Sequence, residues 1–238
     1  REAGCTTLVV SVDAVHFGNR ERDKRHYRRP MKLSAASLLH VATRPGWLWR
    51  TLKPQGMPGF GNLRPYLPPQ YQRGIGGAAY FAEQMETRLD WQTIEWLRSQ
   101  WQGQLLIKGI LTPDDAQRAV RCGADGIVLS NHGGRQLDGS ISPMLVLAEI
   151  RQALGAQATI LIDSGFRRGT DVVKALALGA NAVLIGRPLL YAVAAGGEAG
   201  VDQALALLRA EIDRTLAQLG CSNVAQLGPQ LLRDITGL

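Results

Sequence analysis

The chain has 238 residues, 45% of them apolar, enough to bury a sizeable core as one large domain or two small ones. It carries a net charge of +7, but residues 1–75 hold 13 Lys/Arg against 4 Asp/Glu, while residues 76–238 hold 14 against 16. No apolar run approaches the ~18 residues of a membrane span, and Cys5, Cys122 and Cys221 form no C-x-x-C pair, which argues against a disulfide framework or zinc site and suits a reducing compartment.

In chain order, "REAGCTTLVVSVDA" (1–14) opens on what reads as the tail of a helix and enters an apolar strand ending near Ser11 and Asp13. "AEQMETRLDWQTIEWLRSQW" (82–101) places Met85, Leu89 and Trp96 at near-helical spacing. "QLLIKG" (104–109) is a second strand, ending at Lys108. "TPDDAQRAVRCGA" then begins a helix with Thr112 as N-cap, Pro113 in the first turn and two acids at its positive end. "GIVLSNHGG" is the third strand, "ATILIDSG" (158–165) the fourth, and "GTDVVKALALGA" a helix stopped at Gly179. "LALGANAVLIGRP" (178–188) repeats the plan of residues 1–14 and 119–134, a small-residue helix end feeding an apolar strand. "GVDQALALLRAEIDRTLAQLG" (200–220) is a long helix with Val201, Leu205, Leu208, Ile212 and Leu219 on one stripe.

All five strands are apolar throughout, as parallel strands covered on both faces are. Strand–helix alternation with polar residues at the strand ends predicts an α/β protein, a TIM (β/α)8 barrel. A full barrel takes about 250 residues, so five strands and a start inside a helix predict roughly the last five βα units. A complete doubly wound domain is the alternative.

A barrel gathers its strand ends at one mouth. "DSGFRRG" and "IGRP" each lead a strand into a helix, with glycines that let backbone N–H groups approach an anion and arginines that can grip it. Together they predict a phosphate site. His132 can exchange a proton near neutral pH, Arg135 can hold a carboxylate bidentately, and Asp13 can orient the imidazole. A base beside a carboxylate clamp points to chemistry at the carbon next to a carboxylate. Lys108 reads as a buried lysine paired with Asp, a Schiff-base lysine or a cation beside a cofactor ring, and a phosphate site with a central cation suits FMN or PLP.

The stretches "SVDAVHFGNRERDKR", "LLIKGILTPDDA", "GIVLSNHGGRQLDG" and "LIDSGFRRGTDVVKALALGANAVLIGRPLLY" resemble the FMN-dependent α-hydroxy acid dehydrogenases and oxidases. The likeness runs through nearly all of the chain. It implies an FMN enzyme that oxidises an (S)-2-hydroxy acid, mandelate- or lactate-like, to the 2-oxo acid, with quinone or oxygen as electron acceptor. His132 would be the base and Asp13 its charged partner, with Arg135 and Arg20 on the substrate carboxylate. Lys108 would lie by the flavin, Ser11 and Ser130 would touch the cofactor, and Asp163, Gly165, Arg167, Gly186 and Arg187 would hold its ribityl and phosphate groups. The resemblance further implies a tetramer, and a cytoplasmic location that extends to the inner face of the membrane. The family's first three barrel units are missing from this chain, so an inactive half-barrel is one alternative reading. Another phosphate-binding barrel enzyme, such as an FMN-dependent isomerase, is a second.

The basic third suits nucleic acid, an anionic membrane surface, an acidic substrate or a solvated face. Most of its interest lies in residues 44–81, a Pro/Gly-rich loop that mixes Arg44, Arg50, Lys53, Arg64 and Arg73 with Trp47, Trp49, Phe60, Tyr66 and Tyr71. It reads equally as a peripheral membrane contact or as a lid over the site. With the resemblance in hand, no role in nucleic-acid binding is expected.

Overall fold

Apolar runs of four to seven residues, each bounded by a helix end and a polar tip, pair into one parallel sheet in the computed structural model, which describes residues 3–16, 18–29, 32–56, 59–72, 77, 80, 83–156 and 158–233. The helical tail expected at Arg1 lies outside those residues. The chain divides into two compact units, Asn19–Arg88 and the remainder.

The larger unit holds strands β1 (Thr7–Ser11), β4 (Gln104–Ile110), β5 (Gly126–Leu129), β6 (Thr159–Ile162) and β7 (Ala182–Val183). They lie side by side in that order, every pair parallel, as five consecutive units of a (β/α)8 barrel. Helices α4 (Trp91–Gln100), α5 (Pro113–Arg121), α6 (Pro143–Leu154), α7 (Gly169–Ala177) and α8 (Arg187–Gln218) alternate with the strands. Leu105, Ile107, Ile127, Leu129, Ile160 and Ile162 point to the helices and are almost wholly buried. At about 1.5–3 kcal/mol for each such side chain, this layer is the main stabilising element. The other face carries Val9, Leu106, Val128, Leu161 and Leu184, and it opens at the two edge strands, where Val9 is 47% and Leu184 41% exposed.

Local chemistry sets the helix ends. Thr112 caps α5 by accepting from the Asp115 N–H, with Pro113 at the first position and both acids in the first turn, as expected. The helix expected over 82–101 starts only at Trp91, because the Asp90 carboxylate accepts from the Thr93 N–H and Oγ and fixes the start there. In α8 the backbone leaves the helical region at Gly197, dividing the helix in two. The buried stripe then runs through Leu208 and Leu216, while Leu205 and Leu219 of the expected stripe are exposed.

The repeated sequence plan has a structural counterpart at the N-terminal ends of the strands. Asp125, just before β5, accepts from the Leu105 N–H at 2.8 Å and from Arg98 at 2.9 Å. Asn181, just before β7, accepts from the Ile160 N–H at 2.8 Å and from Arg151 at 2.7 Å. Each clamp joins two strands and the helix before the first of them.

The smaller unit holds α1 (Glu21–His26), an antiparallel ribbon of β2 (Tyr27–Arg29) and β3 (Lys32–Leu33), α2 (Ala35–Ala42) and α3 (Pro45–Gln55). Residues 44–81 are therefore not simply a loop: Pro45 starts α3, Gly56 ends it, and 3-10 turns follow at Gly61–Tyr66 and Pro69–Tyr71. Arg73 lies outside the described residues. Among the described residues no helix is long and apolar enough to cross a membrane.

Asn181→Ala should lower stability by about 1–3 kcal/mol, because it leaves the Ile160 N–H and one nitrogen of Arg151 without their acceptor. The exposed Gln152→Ala should stay within about 0.5 kcal/mol. Urea midpoints of the two variants against the parent check both.

Candidate active site at the strand tips

Successive strands end in polar residues on one rim. Register pairs Ser11 with Lys108 and Lys108 with Val128, so the polar ends of β1, β4, β5 and β6 fall side by side. Lys108 donates to Asp163 Oδ2 and to Ser130 Oγ, each at 2.5 Å, and both ends of the ion pair are mostly buried. Burial alone would raise the Asp163 carboxyl. Hydrogen bonds from Lys108, Ser130 and Ser164, with the Lys108 charge, outweigh it and hold the group below its ordinary value of 3.8.

His132 follows β5, and its Nδ1 lies 2.6 Å from Asp13 Oδ2. Carboxylate oxygens only accept, so Nδ1 carries a proton, and in the neutral ring Nε2 then keeps its lone pair. The other oxygen, Asp13 Oδ1, is buried without a hydrogen-bond partner among the described residues, which leaves His132 as the partner of that carboxylate. Asp13 reaches this place over Gly109, where the β4–β5 register slips. Gly109 has φ +108°, and a Cβ there would sit 2.6 Å from the Asp13 side chain, so both the backbone and the close approach need glycine.

Two residues other than glycine have positive φ among those described, His132 at +53° and Ser164 at +78°. Each costs on the order of 1–2 kcal/mol. Both are tied down: Ser164 Oγ accepts from the Asn131 and Gly133 N–H groups and donates to Asp163 Oδ1, while the His132 N–H donates to Ser130 Oγ.

A cleft of about 250 Å³ opens beside these groups, lined by Lys108, His132, Gly133, Arg135, Asp163, Ser164, Gly165, Phe166, Arg167, Leu184, Gly186, Arg187, Pro188 and Leu190. Its two helix ends differ. At α7 the Arg167 and Arg168 N–H groups donate to Asp171, and the Gly169 N–H donates to Glu211 of α8. Those carboxylates already answer the positive end, so α7 brings little helix-end charge to the cleft. The first turn of α8 has no acidic residue and opens at Gly186 and Arg187. Gly165 and Gly186 leave open space where a side chain would stand. Open glycines, two arginines and a free helix end suit a phosphate, and Lys108 suits a ring that becomes anionic, so the residues present fit a phosphorylated flavin.

Most of the expected residues line this cleft: Lys108, His132, Arg135, Asp163, Gly165, Arg167, Gly186 and Arg187. Four do not. Asp13 stands behind His132. Ser130 is wholly buried, so its hydroxyl serves Lys108 and the His132 backbone and exposes no surface for a cofactor. Ser11 is exposed at the end of β1, and Arg20 belongs to the smaller unit. Arg187 also donates to the Gly133 carbonyl at 2.9 Å, close enough that a Cβ on Gly133 would collide with it. Sequence reasoning missed Ser164, Gly109 and the apolar wall of Phe166, Leu184 and Leu190. The "DSG" after β6 was the one signal for Ser164.

A family described as FMN-dependent dehydrogenase matches residues 1–234. The chain is 47% identical over 232 residues to (S)-mandelate dehydrogenase of Pseudomonas putida, covering 97% of this chain and 58% of that protein. It is 43% identical to an L-lactate dehydrogenase of Xanthomonas campestris, covering 99% and 61%. Among solved structures, the monotopic membrane protein (S)-mandelate dehydrogenase superposes with a TM-score of 0.90 at 47% identity, over 98% of this chain and 61% of that one. The chain thus spans about three-fifths of the length of these relatives.

The depressed Asp163 carboxyl predicts a pH signature. Its folded pKa lies below the unfolded one, so its contribution is complete above the unfolded value and is lost as pH falls through the folded value. Asp163→Asn should therefore be less stable than the parent at neutral pH, with the gap closing below about pH 4. Melting temperatures across that range check it, and a constant gap would mean that the charge is not what Asp163 contributes.

Proposed function

The chain belongs to the FMN-dependent dehydrogenase family, and from that premise we propose that it carries the reacting residues for FMN-dependent oxidation of an (S)-2-hydroxy acid, mandelate- or lactate-like, to the 2-oxo acid. The observation that carries this reading is the 2.6 Å contact between His132 and Asp13 beside a cleft that also holds Lys108 and Arg135.

Bound FMN would supply the two-electron acceptor for oxidation at C2 of the acid. Gly186, Arg187, Gly165 and Arg167 would hold its phosphate and ribityl groups, and Lys108, steadied by Asp163 and Ser130, would lie by the ring. Arg135 grips the substrate carboxylate. His132 Nε2 takes the substrate proton, and Asp13, hydrogen-bonded to Nδ1, holds the ring in the right tautomer and stabilises its charged form. An isomerase sharing the phosphate loops would have no use for an Asp–His–Arg set aimed at a carboxylate.

Quinone or oxygen accepts the electrons afterwards, and the chain assembles as a homotetramer. Residues 44–81 make a peripheral contact with an anionic membrane surface: Trp49 is 65% and Tyr66 80% exposed, next to Arg44, Arg50 and Arg64, and Lys53 stacks on the Trp49 ring at 4.0 Å.

His132→Ala should slow anaerobic flavin reduction by a 2-hydroxy acid by about 10²-fold or more, as loss of a general base does. Arg135→Lys should raise KM sharply by removing the fork, and an unchanged KM would contradict the clamp. Absorbance spectra of the FMN-loaded protein, with and without mandelate, lactate and glycolate, report both. Replacing Trp47 and Trp49 together by Ser should weaken sedimentation with phosphatidylglycerol vesicles by about tenfold, since roughly 1.4 kcal/mol of apolar burial is lost. Equal binding would overturn the membrane contact.

A further inference from the structure

The loop that carries His132 and the ion pair that holds Lys108 meet at a single hydroxyl. Ser164 Oγ lies 3.2 Å from the Asn131 nitrogen, 3.0 Å from the Gly133 nitrogen and 2.7 Å from Asp163 Oδ1. A serine hydroxyl has one proton to give and two lone pairs to receive with. Backbone N–H groups only donate and a carboxylate only accepts, so the proton must point at Asp163 and the lone pairs at the two amides. The hydroxyl is fully used, and its orientation follows from its neighbours without a hydrogen being seen.

Those two amides stand immediately before and after His132, so Ser164 pins the peptide on both sides of the base. Asp163 Oδ2 meanwhile receives Lys108. A displacement of the Ser164 hydroxyl would thus move the base loop and loosen the carboxylate that steadies Lys108. The backbone supports the same conclusion. Ser164 holds φ +78°, where glycine would be relaxed and serine is strained, so a side chain is kept where its absence would be easier for the fold. This goes beyond the roles assigned above and rests on the reading of His132 as the base.

We propose that Ser164 is a positioning residue that couples the His132 loop to the Lys108–Asp163 pair, setting base and ring cation in register. Two variants separate positioning from simple structure. Ser164→Ala removes the hydroxyl and keeps the strain, while Ser164→Gly removes the hydroxyl and relieves the strain. In the FMN-loaded protein both should cut the limiting rate of anaerobic flavin reduction by about 10²-fold, the effect of a small misplacement of a reacting group. The dissociation constant for the hydroxy acid should change less than about threefold, since Arg135 is untouched. Hydrogen–deuterium exchange across residues 130–134 should speed up in both variants, and Ser164→Gly should melt above Ser164→Ala. Ser164→Gly reducing flavin at the parent rate, or unchanged exchange across that segment, overturns the proposal. If the parent itself reduces no flavin with any 2-hydroxy acid, the functional reading fails, and exchange alone then decides whether Ser164 pins the loop.

Discussion

An ammonium and a carboxylate facing each other at 2.5 Å, both mostly out of water, set the geometry of the mouth. Lys108 comes from β4 and Asp163 from just beyond β6, so their contact reaches across the tip of β5 and adds a side-chain tie among three strands to the backbone ladder. Breaking such a pair from one side strands a charge in a poorly solvated place, at a cost of about 3–5 kcal/mol. That penalty disfavours any arrangement of the loops that parts the two. The Ser130 hydroxyl adds a third partner and passes the constraint on to the backbone of His132.

From this anchor a continuous path of hydrogen bonds runs through the chemistry. Asp163 reaches the His132 loop through Ser164, and His132 reaches Asp13 on the far side. Arg187 closes the path from the helix end by donating to the Gly133 carbonyl. His132, Lys108 and Arg187 are thus parts of one network. The two strained φ values are the backbone cost of bringing them to one cleft of about 250 Å³.

Much of this was legible in the sequence, for reasons that are themselves physical. Apolar runs that end in one or two polar residues identify both the strands and the rim, so Lys108, His132 and Asp163 could be assigned to one mouth before any coordinates. Thr112 was readable because a cap acts within three residues. Ser164 was not, because its role depends on a positive φ and on partners 31 and 33 residues away. Ser130 looked like a cofactor contact because sequence places it at a strand tip but does not say whether it faces the cleft or the space beneath. Glu211 closing the end of α7 was equally hidden, since it comes from a helix 42 residues later. In residues 44–81 the prolines and glycines suggested a loop, yet a proline at the first helical position is also a good start, and α3 begins on Pro45.

The Asp125 and Asn181 clamps lie at the opposite ends of the same strands from Lys108, His132 and Asp163. Rigidity and reactivity are therefore drawn from separate stocks of residues. The tips can change while the far ends keep the strands in place, and a gain in robustness at the far ends leaves the tips alone. A scaffold divided in this way is a forgiving starting point for both natural divergence and redesign.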